Sequence, residues 1–485
     1  MKYQSTRNDN IQVSPQEAVL QGIADDGGLF VNPKVADVRF NIHDLICQDT
    51  YDIAAMILNA LLPGYDNMRE LVDRAYKGKF AAEDLTPVAD LGFDYALELF
   101  HGPTCAFKDV ALCMLPHLMT EAKNMLGVKE KISILTATSG DTGKAALEGF
   151  KDVEGTQIAV FYPDGGVSPV QQMQMITQAG NNVRVTAVKG NFDDCQTAVK
   201  EAFLHLKNEP GLRLSSANSI NIGRLAPQVV YYFLAYKQLV EAQVIYLGDK
   251  IDFIVPTGNF GDILAGFYAK VLGLPVGKLV CASNENNVLT DFFKTGVYNK
   301  NREFFKTTSP SMDILVSSNL ERLLFHASDA DAEYVAGLMK DLKEKGEYKV
   351  SDKIKERLDQ VFFAGYATEE DVTKTIGRVY EKFGYVIDPH TAVALAVLEE
   401  YRPQTENVCV VLSTASPFKF PAAVLKGLGK TSVADEFSML ERLSYETKME
   451  IPMPLRYLKQ IPAVHNGVIN KEDIEKYVVE QFKEK

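Results

Sequence analysis

Apolar positions along the first ninety residues recur at helical spacing. Ser14-Pro15-Gln16-Glu17 has the form of a capping box with proline at the first helical position, so a helix is expected over 17–24, ending at Asp26-Gly27-Gly28. Two further amphipathic stretches, Tyr51–Leu62 and Met68–Tyr76, follow the same period, the first stopped by Pro63-Gly64. From Ala96 the pattern changes, and short, near-continuous apolar runs begin to alternate with helix-length segments. Strands are expected at 96–100, 132–137, 157–162, 183–188, 253–256, 279–282 and 408–412, and helices at 143–150, 170–178 and 195–206 between them. The apolar run Val229–Leu234 is too short to span a bilayer and reads as part of a buried helix. A stretch rich in Phe, Lys and Glu, 286–375, reads as helical, with segments at 319–326, 330–344 and 352–361.

This alternation predicts an α/β fold whose parallel sheets are covered on both faces. The expected division is a helical N-terminal domain over 1–92, a small α/β domain over 126–224, and a large α/β domain built from 93–125 and 225–485, with a helical insertion at 286–375. In such sheets, ligands sit at the carboxyl ends of strands, which directs attention to the loops that follow them.

Composition narrows the chemistry. The 485 residues hold 51 Lys and Arg against 64 Asp and Glu, a formal charge of −13. Diffuse binding of nucleic acid needs the opposite balance, and any anionic ligand has to be held by local groups. The six cysteines are scattered, without zinc-ligand spacing, so no metal is expected. The polar N-terminus has no apolar signal region, and the expected compartment is a reducing cytoplasm. No membrane partner is expected, and either a monomer or a homodimer is compatible with the sequence.

Four loops after strands, and one further run, carry candidate chemistry. In Phe100–Asp109, Lys108 lies beside Phe107 and small residues, where desolvation depresses an ammonium pKa and frees a nucleophilic amine. A lysine that merely reaches solvent, or a Cys105/His101 nucleophile pair, are the alternatives. Thr136–Gly143 gathers hydroxyls and backbone amides at a helix start, a receptor for a carboxylate or phosphate, but its Gly140–Lys144 spacing is not that of a nucleotide-binding P-loop. Val255–Asp262 contains Gly258 and Gly261, which permit close backbone approach to a single phosphate. Leu412–Phe420 leaves the last strand with adjacent hydroxyls. Between these, Ser216–Arg224 offers amides, a hydroxyl and a guanidinium suited to a phosphate ester.

Together these loops resemble the threonine synthase family, pyridoxal-phosphate enzymes of fold type II, related to tryptophan synthase β chains and serine dehydratases. The resemblance rests on Tyr3–Arg7, Gly22–Phe30, His101–Thr104 and Phe107–Asp109, and covers nearly the whole chain. It implies pyridoxal 5'-phosphate as cofactor, joined to Lys108 as a Schiff base. It places Gly258, Asn259, Phe260, Gly261 and Asp262 at the cofactor, with Thr414 at the ring nitrogen. It implies O-phospho-L-homoserine as substrate, with Ser139 and Thr142 at the carboxylate and Asn218, Ser219 and Arg224 at the phosphate. Asp141 stands where other fold-type II enzymes use Asn, and Cys105 where many relatives carry Leu. The expected reaction is γ-elimination of phosphate followed by β-addition of water to give L-threonine. A related lyase releasing an oxoacid, or a silent scaffold of the same fold, are the alternatives.

Overall fold

The computed structural model describes residues 2–138, 140–431 and 435–483. Its framework is two mainly parallel sheets. The larger runs, in spatial order, Phe362–Tyr366, Val276–Ser283, Ile251–Pro256, Val408–Ser413, Tyr95–Glu98 and Val88–Asp90. The first five strands are mutually parallel, and the last pairs antiparallel. All six residues of Ile251–Pro256 are buried, which is why this strand reads as an unbroken apolar run instead of an alternating one. The smaller sheet is parallel throughout, in the order Gly467–Asn470, Val183–Lys189, Thr156–Pro163, Ile132–Ala137 and Arg213–Ser215.

Three findings add to the sequence expectations. The first residues form an antiparallel sheet, with Tyr3–Ser5 between Asn8–Val13 and Phe30–Val31, whose strands flank the first expected helix in the chain. The stretch read as helical from 286 to 375 supplies an edge strand of the large sheet at Phe362–Tyr366 and a short hairpin, Val297–Asn299 with Glu347–Lys349. Finally, Gly467–Asn470 pairs with Val183–Lys189, and the apolar face of the helix Ile474–Phe482 packs on Leu135, Phe161 and Cys195, so the end of the chain joins the sheet of the 126–224 unit. A four-residue edge strand has too few positions to show a period, and its pairing depends on a partner nearly 300 residues away.

The capping box forms as expected: the Ser14 hydroxyl accepts from the Glu17 amide (3.1 Å), and the Glu17 carboxylate from the Ser14 amide (2.7 Å). The apolar run around Val229 lies in the helix Ile222–Glu241, buried along most of its length against the helices Thr50–Leu61, Lys108–Met125 and Gly261–Val271. Among the described residues, no helix is long and apolar enough to cross a membrane.

The N-terminal segment is locked to the body by two arginines. Arg7 forms a two-pronged pair with Glu321, at 2.8 Å on each prong. Arg322, fully buried, donates to the carbonyls of Phe30 (2.9 Å) and Ile220 (2.5 Å) and to Asn319 Oδ1 (2.5 Å). Those three acceptors lie on the N-terminal sheet, the run before the buried helix, and the start of the helix Leu320–Ala327. One planar guanidinium thus fixes three separate pieces of chain around the carboxyl edge of the large sheet.

Candidate active site

Lys108 is the first residue of the helix Lys108–Met125, at the end of the loop that follows the strand Tyr95–Glu98. The turn before it is held by Asp109, which accepts from the Thr104 amide (2.8 Å) and hydroxyl (2.5 Å). Cys105 takes a left-handed conformation (φ 60°), and Ala106 bridges to Ala415. The Phe107 amide donates to the Thr414 carbonyl (2.8 Å) and the Ser416 amide to the Cys105 carbonyl (3.0 Å). Because Val408–Ser413 and Tyr95–Glu98 are parallel neighbours, their trailing loops are laced together, and Lys108 and Thr414 emerge side by side.

The Lys108 ammonium is buried, sits 4.6 Å from the Phe107 ring centroid, and donates to Ser311 Oγ (3.3 Å). Burial lowers its pKa to about 8; Asp141 opposes this, while the positive charges of Lys419 and Arg224 reinforce it. A neutral amine is therefore accessible near physiological pH. The Cys105 thiol, by contrast, is pushed up to about 12 by burial, and His101 is engaged with Glu98 at 2.7 Å. That corrects the Cys105/His101 alternative, since no thiolate is available there.

The second wall is the loop after Ile251–Pro256. A side chain at Gly258 would place its Cβ 2.5 Å from the Ser311 carbonyl oxygen, so only glycine lets the two backbones meet. Phe260 adopts a left-handed conformation (φ 62°) and opens the helix Gly261–Val271, whose first amides lack helical partners and face out at the positive end of the dipole. The loop is pinned from outside by Ser317 Oγ on the Gly258 carbonyl (2.7 Å) and by Asn319 Nδ2 on the Asn259 carbonyl (3.0 Å). Asp262 accepts from the hydroxyls of Tyr231 and Tyr232, and burial pushes its pKa up to about 7, so near neutral pH it carries less than a full negative charge.

The third wall belongs to the smaller sheet. Thr138 Oγ1 accepts from the amides of Gly140 and Gly143, both at 3.0 Å, and so shapes the start of the helix Asp141–Phe150. Ser139 lies outside the described residues, and Thr142 is half-buried as the second residue of that helix. Asp141 pairs with Lys419 at 2.8 Å, with side chains 7% and 1% exposed, and accepts from Gln171 Nε2 (3.1 Å). Burial opposes ionisation of Asp141, but Lys419 and Lys108 hold its carboxyl well below the usual range. Lys419 also donates to the Thr104 carbonyl (3.0 Å), so this pair ties the smaller sheet to the lysine loop.

The fourth wall precedes the buried helix Ile222–Glu241. Asn221 caps it, accepting from the Gly223 amide (2.8 Å), and donates to the Val19 carbonyl (2.9 Å). Asn218 is exposed and Ser219 half-buried; the Ser219 carbonyl accepts from Asn319 (3.2 Å). Arg224 is buried, donates through Nη1 to the Ala217 carbonyl (2.9 Å), and has no partner for Nε. Among the described residues, no carboxylate pairs with it. Desolvation alone lowers its pKa to about 10. A buried, unneutralised guanidinium is costly unless an anion meets it.

Profiles of known families match the chain in three parts: "Pyridoxal-phosphate dependent enzyme" over residues 92–339, "Threonine synthase N terminus" over 2–76 and "Threonine synthase, C-terminal" over 391–454. The threonine synthase of Pseudomonas aeruginosa is 38% identical over 455 residues, covering 91% of this chain and 95% of that protein. The chain belongs to the threonine synthase family. Threonine synthase-like 1 of Macaca fascicularis is 37% identical over 96% of this chain, which spans 66% of that longer protein. The crystal structure of pyridoxal-phosphate-bound threonine synthase from Brucella melitensis superposes with a TM-score of 0.89 at 37% identity, over all of both chains.

The walls fit the cofactor of the threonine synthase family. A buried primary amine with a depressed pKa suits an aldehyde, and the Gly258 cradle, which a Cβ would fill, suits a phosphate at a helix N-terminus. Sequence reasoning missed three contributors: Lys419 as the partner of Asp141, Ser311 against Lys108, and the buried Asp388–His390 pair behind Ser311. Lys419 stood in a loop already singled out, and Asp388-Pro389 is a helix-start signature. Ser311 carried no local signal.

Proposed function

We propose that the chain is a threonine synthase, converting O-phospho-L-homoserine and water to L-threonine and phosphate. The observation that carries this reading is Arg224, a buried cation with no carboxylate partner among the described residues, whose field reaches Lys108. A substrate with both a carboxylate and a phosphate needs two anion receptors beside the amine. The helix start at Asp141 and the Arg224 run supply them; a hydroxyamino-acid dehydratase needs only one.

When bound, pyridoxal phosphate supplies an aldehyde that captures the substrate amine and a ring that stabilises negative charge at the α and β carbons. The chain's own groups do the rest. Gly258, Asn259, Phe260, Gly261 and Asp262 hold the cofactor phosphate at the helix N-terminus, and the Thr414 hydroxyl meets the ring nitrogen without adding a full charge. Ser139 and Thr142 receive the substrate carboxylate, and Asn218, Ser219 and Arg224 its phosphate. Lys108, as a neutral amine, takes the α proton and later returns one; such a base contributes about 10²–10⁴-fold. Over the whole reaction the Cγ–O bond to phosphate breaks, one Cβ hydrogen leaves as a proton while Cγ gains one, hydroxide from water joins Cβ, and water's proton goes to the departing phosphate, whose charge Arg224 balances.

The rival reading is a phospho-lyase of the same fold that ends in an oxoacid. Incubation of the purified enzyme with phosphohomoserine separates them. We expect phosphate and threonine in equal amounts; phosphate with 2-oxobutyrate and no threonine would refute the proposal. The reducing cytoplasm belongs to the same reading, supported by six cysteines all in the free form.

A further inference from the structure

Behind Lys108 lies a chain of polar groups outside the site residues assigned above, running from the half-buried Ser311 to the buried His390 and Asp388. Lys108 Nζ donates to Ser311 Oγ (3.3 Å), and the Ser311 backbone amide donates to His390 Nε2 (3.3 Å). On the other side of the ring, His390 Nδ1 meets Asp388 Oδ1 at 2.8 Å. Asp388 is fully buried and caps the helix Pro389–Tyr401, accepting from the His390 amide (2.9 Å) and from the Thr391 hydroxyl. Its acceptors are therefore committed, and it cannot turn away from the ring.

The geometry assigns the tautomer. An amide N–H can only donate, so Nε2 carries a lone pair and the ring proton sits on Nδ1, directed at Asp388. The Phe420 ring packs edge-on against the imidazole at 4.9 Å and limits its rotation. Ser311 itself lies where its carbonyl would collide with any side chain at Gly258, so its backbone is held on one side by the phosphate loop and on the other by His390.

We propose that His390, oriented by Asp388, is a positioning residue that holds the Ser311 backbone so that the Ser311 hydroxyl receives the Lys108 amine during proton transfer. This rests on the threonine synthase reading. Within each turnover the amine must be freed and recaptured, and a fixed acceptor limits its swing. Misplacing a reacting group by about 1 Å can cost ~10²-fold.

Two substitutions at one position separate the ends of the ring. His390→Gln places an amide oxygen near Nε2 and keeps an acceptor for the Ser311 amide. His390→Asn places its amide near Nδ1, retaining a donor for Asp388 but leaving the Ser311 amide unpaired. With phosphohomoserine, His390→Asn and Ser311→Ala should each lower kcat by about ten- to a hundredfold with KM little changed, whereas His390→Gln keeps most of the wild-type kcat. The visible absorbance of the bound cofactor should be intact in all three.

Equal loss in the Gln and Asn variants, loss of cofactor absorbance in both, or full kcat in His390→Asn would each overturn the proposal and leave the pair a packing feature. A wild-type enzyme that makes no threonine would instead refute the underlying reading, so the two failures are distinct.

Discussion

Arg224→Met should stabilise the substrate-free enzyme while disabling it. The guanidinium is buried, lacks a carboxylate partner among the described residues, and has its pKa lowered from 12.5 to about 10 by desolvation. That gap corresponds to about 3 kcal/mol against the charged form. Methionine fills most of the stem volume and removes this term. The substitution also strips the Ala217 carbonyl of its 2.9 Å donor, which costs about 1–2 kcal/mol. The net expectation is a gain of about 1–2 kcal/mol, read as a higher urea midpoint at pH 7 beside wild type with the cofactor at equal saturation. Loss of a charge-assisted phosphate contact costs about 2–5 kcal/mol, so kcat/KM for phosphohomoserine should fall roughly thirty- to several-thousand-fold. Inorganic phosphate should raise the wild-type midpoint and leave that of the variant unmoved. A variant that loses about 2 kcal/mol or more of stability and keeps its kcat/KM would show that Arg224 is a structural brace, and the two-anion argument would fall with it.

Other consequences follow from the same geometry. Lys419→Met or Asp141→Asn alone should each destabilise by about 3–5 kcal/mol, because each strands a buried charge, while the double variant loses far less than the sum; additive losses in a denaturation cycle would argue against the pair. The acidic limb of kcat should rise with pH through about 8, since Lys108 acts as a neutral amine. Removing the positive Lys419 should move that limb to higher pH, and a limb near 10.5 in wild type would contradict the burial argument. Gly258→Ala should loosen the cofactor, visible as faster loss of absorbance on dialysis, because its Cβ would meet backbone atoms of Ser311 and Met312 that cannot rotate away.

Much of the site was legible because its loops are local. The glycines at 258 and 261 and the hydroxyls around Thr414 sit within five residues of a strand end, Lys108 beside Phe107 sits ten beyond one, and the parallel sheet brings strand ends to one edge. The groups that tune those loops were not legible. Lys108 and Ser311 are 203 residues apart, and Ser311 and His390 are 79 apart, so no window of sequence contains either pair. Asp141 shows why this matters: as a residue type in a supposed anion receptor it was anomalous, and only Lys419 at 2.8 Å explains it.

The sequence by itself determined the alternation of strand and helix, the buried central strands, the lysine loop and the two segments proposed to receive anions, since each is written in the period or composition of about ten consecutive residues. The tertiary structure decided which short segments become edge strands and which charges are neutralised. It set Asp141 against Lys419, left Arg224 without a counterion among the described residues, and placed a histidine behind the serine that meets Lys108. Burial and pairing depend on distance through space, and chain order does not encode that distance until the strands have found their neighbours.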